Sequence, residues 1–266
     1  MSNASQSPRR VAVVGGGPAG LEAARVAASR GHDVDLYEAS DHLGGVLWPA
    51  ATPEFKSELR KMITWWERQL AELPVRIHLG TTITASSPEL DGVDDVIVAT
   101  GAAPVVPASI PGIERAVEVV DAHLDRSRVG HRVIVAGGGL SGVDLALELA
   151  EDGHAVTVVE MADEIAADLL IINKITLLRR LEAAGVRVLT GHAVTRVTDT
   201  GLVAEGPDGP VELEADTVVA AFGVRADRGL AEALEGRTKV HAVGDCVHPA
   251  KVAEAVNAGF EAAFAL

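Results

Sequence analysis

Two stretches of this sequence share one pattern. VAVVGGGPAGLEAARVAASRGHDVDLYE runs from Val11 to Glu38, and VIVAGGGLSGVDLALELAEDGHAVTVVE runs from Val133 to Glu160. In each, a short apolar run leads into a glycine-rich turn, an Ala/Leu-rich segment, a second apolar run and a glutamate. Short β-branched runs that end at glycine are typical of buried parallel strands, and apolar residues at helical spacing indicate a helix. Each stretch therefore predicts a strand–turn–helix–strand unit.

The glycines of the first turn stand at the spacing that a dinucleotide requires. Gly15 permits a sharp turn, Gly17 lets a pyrophosphate approach the backbone, and Gly20 lets the helix pack closely on the strand. The N-terminus of the helix then offers N–H groups and a partial positive charge to the phosphates. Glu38, at the end of the second strand, can accept hydrogen bonds from ribose hydroxyls. The stretch therefore predicts a site for an adenine-containing dinucleotide.

The second stretch repeats every part of the first. Gly137, Gly139, Gly142 and Glu160 each lie 122 positions after their counterparts, and the match continues from DDVIVATG to ADTVVAAFG. A repeat of this extent indicates two related nucleotide-binding units. A second turn that keeps its glycines only for packing is the alternative. We expect a ligand, since packing alone would not require the acid at position 160.

Composition excludes several other classes of function. The net charge of −15, without a cluster of Lys and Arg, argues against nucleic acid as a partner. Cys246 is the single cysteine, so the chain can form neither an internal disulfide nor a thiolate metal cluster. The nine histidines lack metal-ligand or triad spacing, and no metal site is predicted. No apolar stretch is long enough to span a membrane. We expect a cytoplasmic location.

Five motifs together resemble one group of flavoproteins: GGGPAG (15–20), LGG (43–45), VIVATG (96–101), GGGLSG (137–142) and VHAVGDC (240–246). The chain is similar to the C-terminal portion of 2,4-dienoyl-CoA reductase, of related NADH:flavin oxidoreductases and of trimethylamine dehydrogenase. The resemblance implies an α/β fold of the glutathione-reductase type. Two Rossmann-like dinucleotide-binding domains are then expected, with the second inserted in the first.

The resemblance also implies that the first unit holds FAD. The ADP half would lie on the first glycine turn and its acid, and the flavin half along the segment after LGG. Thr100 and Gly101 would mark the crossing between domains, and Asp245 would bind the ribityl or phosphate region. The residues assigned to FAD are Gly15, Gly17, Pro18, Ala19, Gly20, Glu38, Ala39, Gly45, Val46, Ile83, Thr100, Gly101, Gly244, Asp245 and Val252.

The second unit would by the same resemblance hold a nicotinamide dinucleotide. Glu160 favours NADH over NADPH, because a carboxylate accepts a free 2′-hydroxyl and repels a 2′-phosphate. Asp144 would lie near the nicotinamide, with a solvated residue on a helix as the alternative. The residues assigned to NAD are Gly137, Gly139, Leu140, Ser141, Gly142, Asp144, Glu160 and Gly223.

Prolines indicate the domain boundaries. Pro104, Pro107 and Pro111 predict an extended crossover out of the first unit. The sequence therefore predicts an FAD-binding domain at 11–107 and 236–266 and an NAD(P)H-binding domain at 108–235. Residues 1–10, which include Ser2-Asn3-Ala4, are interpreted as a tag remnant and a disordered leader.

Absent residues narrow the chemistry. Disulfide reductases with this arrangement carry a cysteine pair, which this sequence lacks, and Cys246 is interpreted as a packing residue. Hydride transfer between stacked rings needs proximity more than an acid or base, so no catalytic side chain is expected.

The predicted function is transfer of hydride from NADH to FAD and of electrons onward to a partner. The resemblance implies a barrel with FMN and an iron–sulfur cluster as that partner, in an enzyme of which this chain is a portion. Two alternatives stay open: a structural module that binds ADP without redox chemistry, and a free-standing reductase of a ferredoxin-like protein.

Overall fold

The computed structural model describes residues 7–266. The predicted leader at residues 1–10 is too long, because Arg10 already belongs to the first strand and Arg9 forms an ion pair of 2.9 Å with the buried Asp95. Residues 1–6, including Ser2-Asn3-Ala4, lie outside the described residues. Within residues 7–266, no helix has both the length and the apolar character needed to cross a membrane.

The strands and helices alternate along much of the chain. In chain order the strands are β1 (Arg10–Val14), β2 (Asp33–Tyr37), β3 (Val75–His78), β4 (Asp95–Val98), β5 (Ala102–Pro104), β6 (Val117–Glu118), β7 (Arg132–Ala136), β8 (Ala155–Val159), β9 (Arg187–Leu189), β10 (Ala193–Thr198), β11 (Gly201–Gly206), β12 (Gly209–Glu214), β13 (Thr217–Ala220), β14 (Val224–Ala226) and β15 (Lys239–Ala242). The helices are α1 (Pro18–Ser29), α2 (Leu47–Ala50), α3 (Glu58–Ala71), α4 (Val119–Leu124), α5 (Leu140–Glu151), α6 (Ile171–Ala183), α7 (Gly229–Leu234) and α8 (Val252–Phe264).

The first of two compact units is built on a parallel sheet of order β15-β4-β1-β2-β3. Strand β1 lies at the centre of this sheet, between β4 and β2. Its apolar residues are buried, because a central parallel strand is covered on both faces of the sheet. Helix α1 packs against α8 at very short range. A Cβ on Gly259 would lie 2.1 Å from the carbonyl oxygen of Ala19, so only glycine permits this approach. The chain thus holds α1 tightly against both the sheet and α8.

The second unit repeats this topology. Its parallel sheet has the order β6-β13-β7-β8-β9, in which β7, β8, β9 and β13 take the places of β1, β2, β3 and β4. An antiparallel sheet of order β10-β11-β12 is added to it. The equivalent strand orders confirm the two Rossmann-like units predicted from the repeat.

The boundaries of the units differ from the predicted ones. The first unit comprises the described residues up to Ala51, Phe55–Ala103 and Val224–Leu266, and the second comprises Thr52–Glu54 and Pro104–Gly223. The first unit therefore resumes at Val224 and not at residue 236. The reason is α7, whose residues Ala231 and Leu234 belong to the core of the first sheet.

Candidate dinucleotide-binding sites

The three glycines of the first turn have different steric surroundings. Gly15 has a φ of +110°, and a Cβ there would lie 2.3 Å from the carbonyl oxygen of Ala99. A Cβ on Gly20 would lie 1.9 Å from the carbonyl oxygen of Gly15. A Cβ on Gly17, in contrast, would meet only Gly45 Cα, at 4.0 Å. Gly15 and Gly20 are thus required by packing, whereas Gly17 borders open space that a ligand can enter.

The N-terminus of α1 is suited to an anion. Gly17 is the N-cap residue, no side chain caps the helix, and no acidic residue lies in the first turn. The first N–H groups of a helix have no partner within the helix, and they carry part of its positive dipole. The space beside Gly17 therefore adjoins backbone donors that a phosphate group would satisfy.

Glu38 holds the first turn in place. Its Oε2 atom accepts the N–H of Gly16 at 2.6 Å, and its Oε1 atom accepts the N–H and the hydroxyl of Ser40, each at 2.8 Å. A carboxylate has about four acceptor positions. Glu38 therefore shapes the turn and keeps acceptor capacity for a ribose hydroxyl.

A cleft in the first unit brings most of the predicted FAD residues together. It is lined by Gly15, Gly17, Pro18, Ala19, Glu38, Gly45, Val46, Thr100, Gly101, Asp245 and Val252. The other four predicted residues, which are Gly20, Ala39, Ile83 and Gly244, do not line it. Gly20 faces the backbone of Gly15, Gly244 lies under the side chain of Ala19, and Ile83 is buried in the core behind the sheet. No side-chain contact of Ala39 indicates a role at the cleft.

Sequence reasoning missed part of the wall of this cleft. The further lining residues are Ala99, Ala102, Val243, Ala250, Lys251 and Ala255. Lys251 is the N-cap residue of α8, and the N–H of Ala250 donates to Asp245 Oδ1 at 3.1 Å. A cationic residue where α8 begins adds to the positive end of that helix. The position of Lys251 shortly after the VHAVGDC motif (240–246) was the sequence signal for this residue, whereas the alanines carry none.

The second turn has the same geometry as the first. Gly137 has a φ of +120°, and a Cβ there would lie 2.1 Å from the carbonyl oxygen of Ala221. A Cβ on Gly142 would lie 2.1 Å from the carbonyl oxygen of Gly137, whereas a Cβ on Gly139 would meet nothing within 4 Å. Gly139 is the N-cap residue of α5, again without a side-chain cap. This turn therefore also fits a phosphate group.

Leu140 and Ser141 are exposed at the start of α5, and Gly142 is buried behind them. Gly223 follows the end of β13 with a φ of +84°, and its carbonyl oxygen accepts the N–H of Val105 at 2.9 Å. Asp144 is 6% exposed, so the alternative of a solvated helix residue is wrong. A role for Asp144 near the nicotinamide stays a prediction.

Glu160 corrects one step of the sequence argument. Its Oε2 atom accepts the N–H of Gly138 at 2.6 Å, and its Oε1 atom accepts the N–H of Ala162 at 2.7 Å. The premise that packing alone would not require an acid is therefore wrong, because the carboxylate shapes this turn as Glu38 shapes the first. With two acceptor positions used of about four, Glu160 retains capacity for ribose hydroxyls.

Cys246 is fully buried, which confirms its interpretation as a packing residue. Its Sγ atom lies 3.1 Å and 3.3 Å from the carbonyl oxygens of Val243 and Val98. Burial raises the pKa of the thiol, because the thiolate would lose its hydration. The side chain therefore stays protonated and packs behind the cleft.

Comparisons with known proteins agree with this geometry. Residues 9–262 match the family described as pyridine nucleotide-disulphide oxidoreductase. Bilirubin reductase of Mediterraneibacter gnavus is 38% identical over 97% of this chain and 41% of the relative, and NADH oxidase of Thermoanaerobacter brockii is 36% identical over 99% and 42%. The structure of 2-naphthoyl-CoA reductase in complex with 2-naphthoyl-CoA superposes with a TM-score of 0.93 at 30% identity, over 100% of this chain and 41% of that one. The chain thus spans less than half the length of these relatives.

The chain belongs to the pyridine nucleotide-disulphide oxidoreductase family. This membership confirms the predicted resemblance, the two-domain Rossmann-like fold, and the class of oxidoreductases that use FAD and a nicotinamide dinucleotide. The family's name refers to disulfide chemistry, but this chain has one cysteine and therefore lacks a redox-active pair.

Proposed function

We propose that the first unit binds FAD, that the second binds NADH, and that the chain passes electrons from NADH through FAD to an acceptor domain or protein. The observation that carries this proposal is the shared geometry of the two turns. In each, two glycines pack against backbone, while the middle one borders open space at an uncapped helix N-terminus. Close packing explains the two outer glycines of each turn. It does not explain why the space beside Gly17 and Gly139 is open.

The chain's own residues bind and orient the cofactors. Backbone N–H groups at the starts of α1 and α5 would hold the two pyrophosphates, and Glu38 and Glu160 would accept ribose hydroxyls. Asp245 and Lys251 line the cleft at the start of α8, where a polar part of FAD would contact them. When bound, FAD would supply the two-electron redox chemistry. No side chain of the chain is needed as an acid or base.

Glu160 supports NADH over NADPH. A 2′-phosphate would meet the carboxylate at the end of β8, and a site for it normally supplies an arginine. The two residues that follow are Met161 and Ala162, and neither is a cation. The carboxylate also accepts the N–H of Ala162, which fixes it in this orientation. Repulsion of a 2′-phosphate is therefore built into the turn.

We propose that the acceptor lies in a further polypeptide segment or partner, with FMN and an iron–sulfur cluster as its redox groups. The length of the relatives supports this, because each has more than half of its chain outside the matched region. We place the reaction in the cytoplasm. The cytoplasm is a reducing compartment in which proteins rarely contain disulfides, and a chain with a single cysteine forms no internal disulfide.

Analysis of the bound nucleotide tests the proposal against the structural ADP-binding alternative. The chain is purified, denatured, and its released nucleotide identified by chromatography and absorbance. We expect about one FAD per chain. This FAD is either released from the purified protein or taken up when FAD is added to the apoprotein. Release of ADP alone, with no uptake of FAD, would favour the structural module.

A further inference from the structure

The two units share a backbone contact that ties a downstream segment to the glycine turn. In the first unit, the N–H of Gly44 donates to the carbonyl oxygen of Gly16 at 2.8 Å. In the second unit, the N–H of Ala166 donates to the carbonyl oxygen of Gly138, also at 2.8 Å. Gly44 and Ala166 are 122 positions apart, which is the offset of the whole repeat. The contact is therefore part of the duplicated structure.

This contact completes the fixing of the glycine turn. The peptide groups on either side of Gly138 are held by Glu160, which accepts the N–H, and by Ala166, which donates to the carbonyl oxygen. Gly138 lies between Gly137 and Gly139, so both contacts set the direction of the backbone that faces a phosphate. The segment that carries Ala166 therefore helps Glu160 to hold the turn in the conformation that faces a ligand.

The two units differ in the residue that makes the contact. Gly44 has a φ of +114° and Ala166 a φ of +50°. Among residues 7–266, Ala166 is the only non-glycine residue with a positive φ. An L-residue with a Cβ is disfavoured in this region, whereas glycine is not. The contact is therefore made without strain in the first unit and against strain in the second.

The surroundings of the two turns differ in the same sense. Pro18 and Ala19, which follow the first turn, are buried. Leu140 and Ser141, their counterparts in the second unit, are exposed, with Leu140 at 39%. The start of α1 is thus covered by its own unit, whereas the start of α5 is exposed, although Gly138 itself is buried beside Ile165. A covered helix start suits a ligand that stays bound, and an exposed helix start suits a ligand that exchanges.

We infer that residues 162–169 form a flap that closes on the second turn, and that Ala166 is a positioning residue that weakens the closed state. NADH requires the ordered turn, so it binds the closed flap and shifts the population towards it. The strain at Ala166 favours reopening and release of the oxidised coenzyme. Gly44 lacks this strain, in keeping with an FAD that stays bound. The inference rests on the proposed function of the second unit.

Amide hydrogen exchange of the FAD-loaded protein tests the flap directly. Without NADH, we expect the protection factor of the Ala166 amide to be about tenfold lower than that of the Gly44 amide. The reason is that strain in the left-handed region raises the population of the open flap. Added NADH should slow the Ala166 amide and leave the Gly44 amide unchanged. Equal protection of the two amides before NADH is added would overturn the flap, whether or not NADH binds.

A pair of substitutions tests the role of Ala166. Ala166→Gly should lower the Kd for NADH about threefold and slow exchange at position 166, because relief of strain is partly offset by the freedom of glycine. Ala167→Gly is the control: Ala167 is exposed and has no positive φ, so this variant should not tighten binding. Unchanged or weaker NADH binding by Ala166→Gly would overturn the inference. Failure of the unaltered protein to bind NADH would overturn the proposed function itself.

Discussion

Gly17→Ala should separate FAD binding from folding. The new Cβ would meet only Gly45 Cα, at 4.0 Å, and the φ of −79° at Gly17 suits alanine. Loss of chain freedom in the unfolded state should stabilise the apoprotein by about 0.4–1 kcal/mol. The same Cβ occupies the space through which a pyrophosphate approaches the backbone. Loss of one hydrogen bond to a charged group, about 1.5–3 kcal/mol, would weaken FAD binding roughly ten- to a hundredfold.

Gly20→Ala is the matched control, because its Cβ would lie 1.9 Å from the carbonyl oxygen of Gly15. The helix or the turn must shift, which should destabilise the apoprotein by about 1–3 kcal/mol. The assay is titration of each apoprotein with FAD, followed by quenching of flavin fluorescence, beside thermal unfolding without FAD. We expect Gly17→Ala to have a Tm at or above that of the unaltered chain and Gly20→Ala a lower one. FAD binding by Gly17→Ala with unchanged affinity would refute the reasoning.

Three further predictions concern the second unit. Gly139→Ala should weaken NADH binding about ten- to a hundredfold with FAD content unchanged, whereas Gly142→Ala should lower the Tm. NADH titration and thermal unfolding distinguish the two variants. Equal effects of both variants in these assays would contradict the steric assignment. Glu160→Gln turns one acceptor into a donor facing a backbone N–H, so NADH affinity should fall about tenfold while FAD affinity stays unchanged, as parallel titrations would show. Burial of Glu148 by itself raises the pKa of its carboxyl. The hydrogen bonds that this carboxylate accepts, one of them from His123 at 2.7 Å, outweigh burial and hold that pKa below its usual value. The carboxylate thus contributes stability above its unfolded pKa of 4.5, and that contribution is lost as the pH falls through the lower folded pKa; Glu148→Gln should remove this acid-dependent loss, and an unchanged profile of Tm against pH would contradict it.

The two βαβ units could be predicted because their sequence signals are local. The run before Gly15 forms a buried strand, and the glycine spacing leaves few other backbone arrangements. The first helix begins at Pro18, directly after the glycine turn, because proline is favoured at the first position of a helix. The repeat then extended these conclusions from the first unit to the second.

Features that depend on distant parts of the chain were not predictable. Ala99 and Val243 meet at one cleft because β4 and β15 are neighbours, and an alanine or a valine carries no local signal of that position. The return to the first unit at Val224 depends on which core α7 joins. The hydrogen bonds of Glu160 to backbone require the turn and the strand end to be seen together.

The central claim is that electrons pass from NADH, held by the second unit, to FAD, held by the first. Its most direct test is the addition of NADH under anaerobic conditions to the FAD-loaded chain, with the flavin absorbance band recorded over time. The account predicts that the band bleaches, and that Gly139→Ala needs a higher NADH concentration for the same rate. A band that persists at saturating NADH in the unaltered protein would contradict the account.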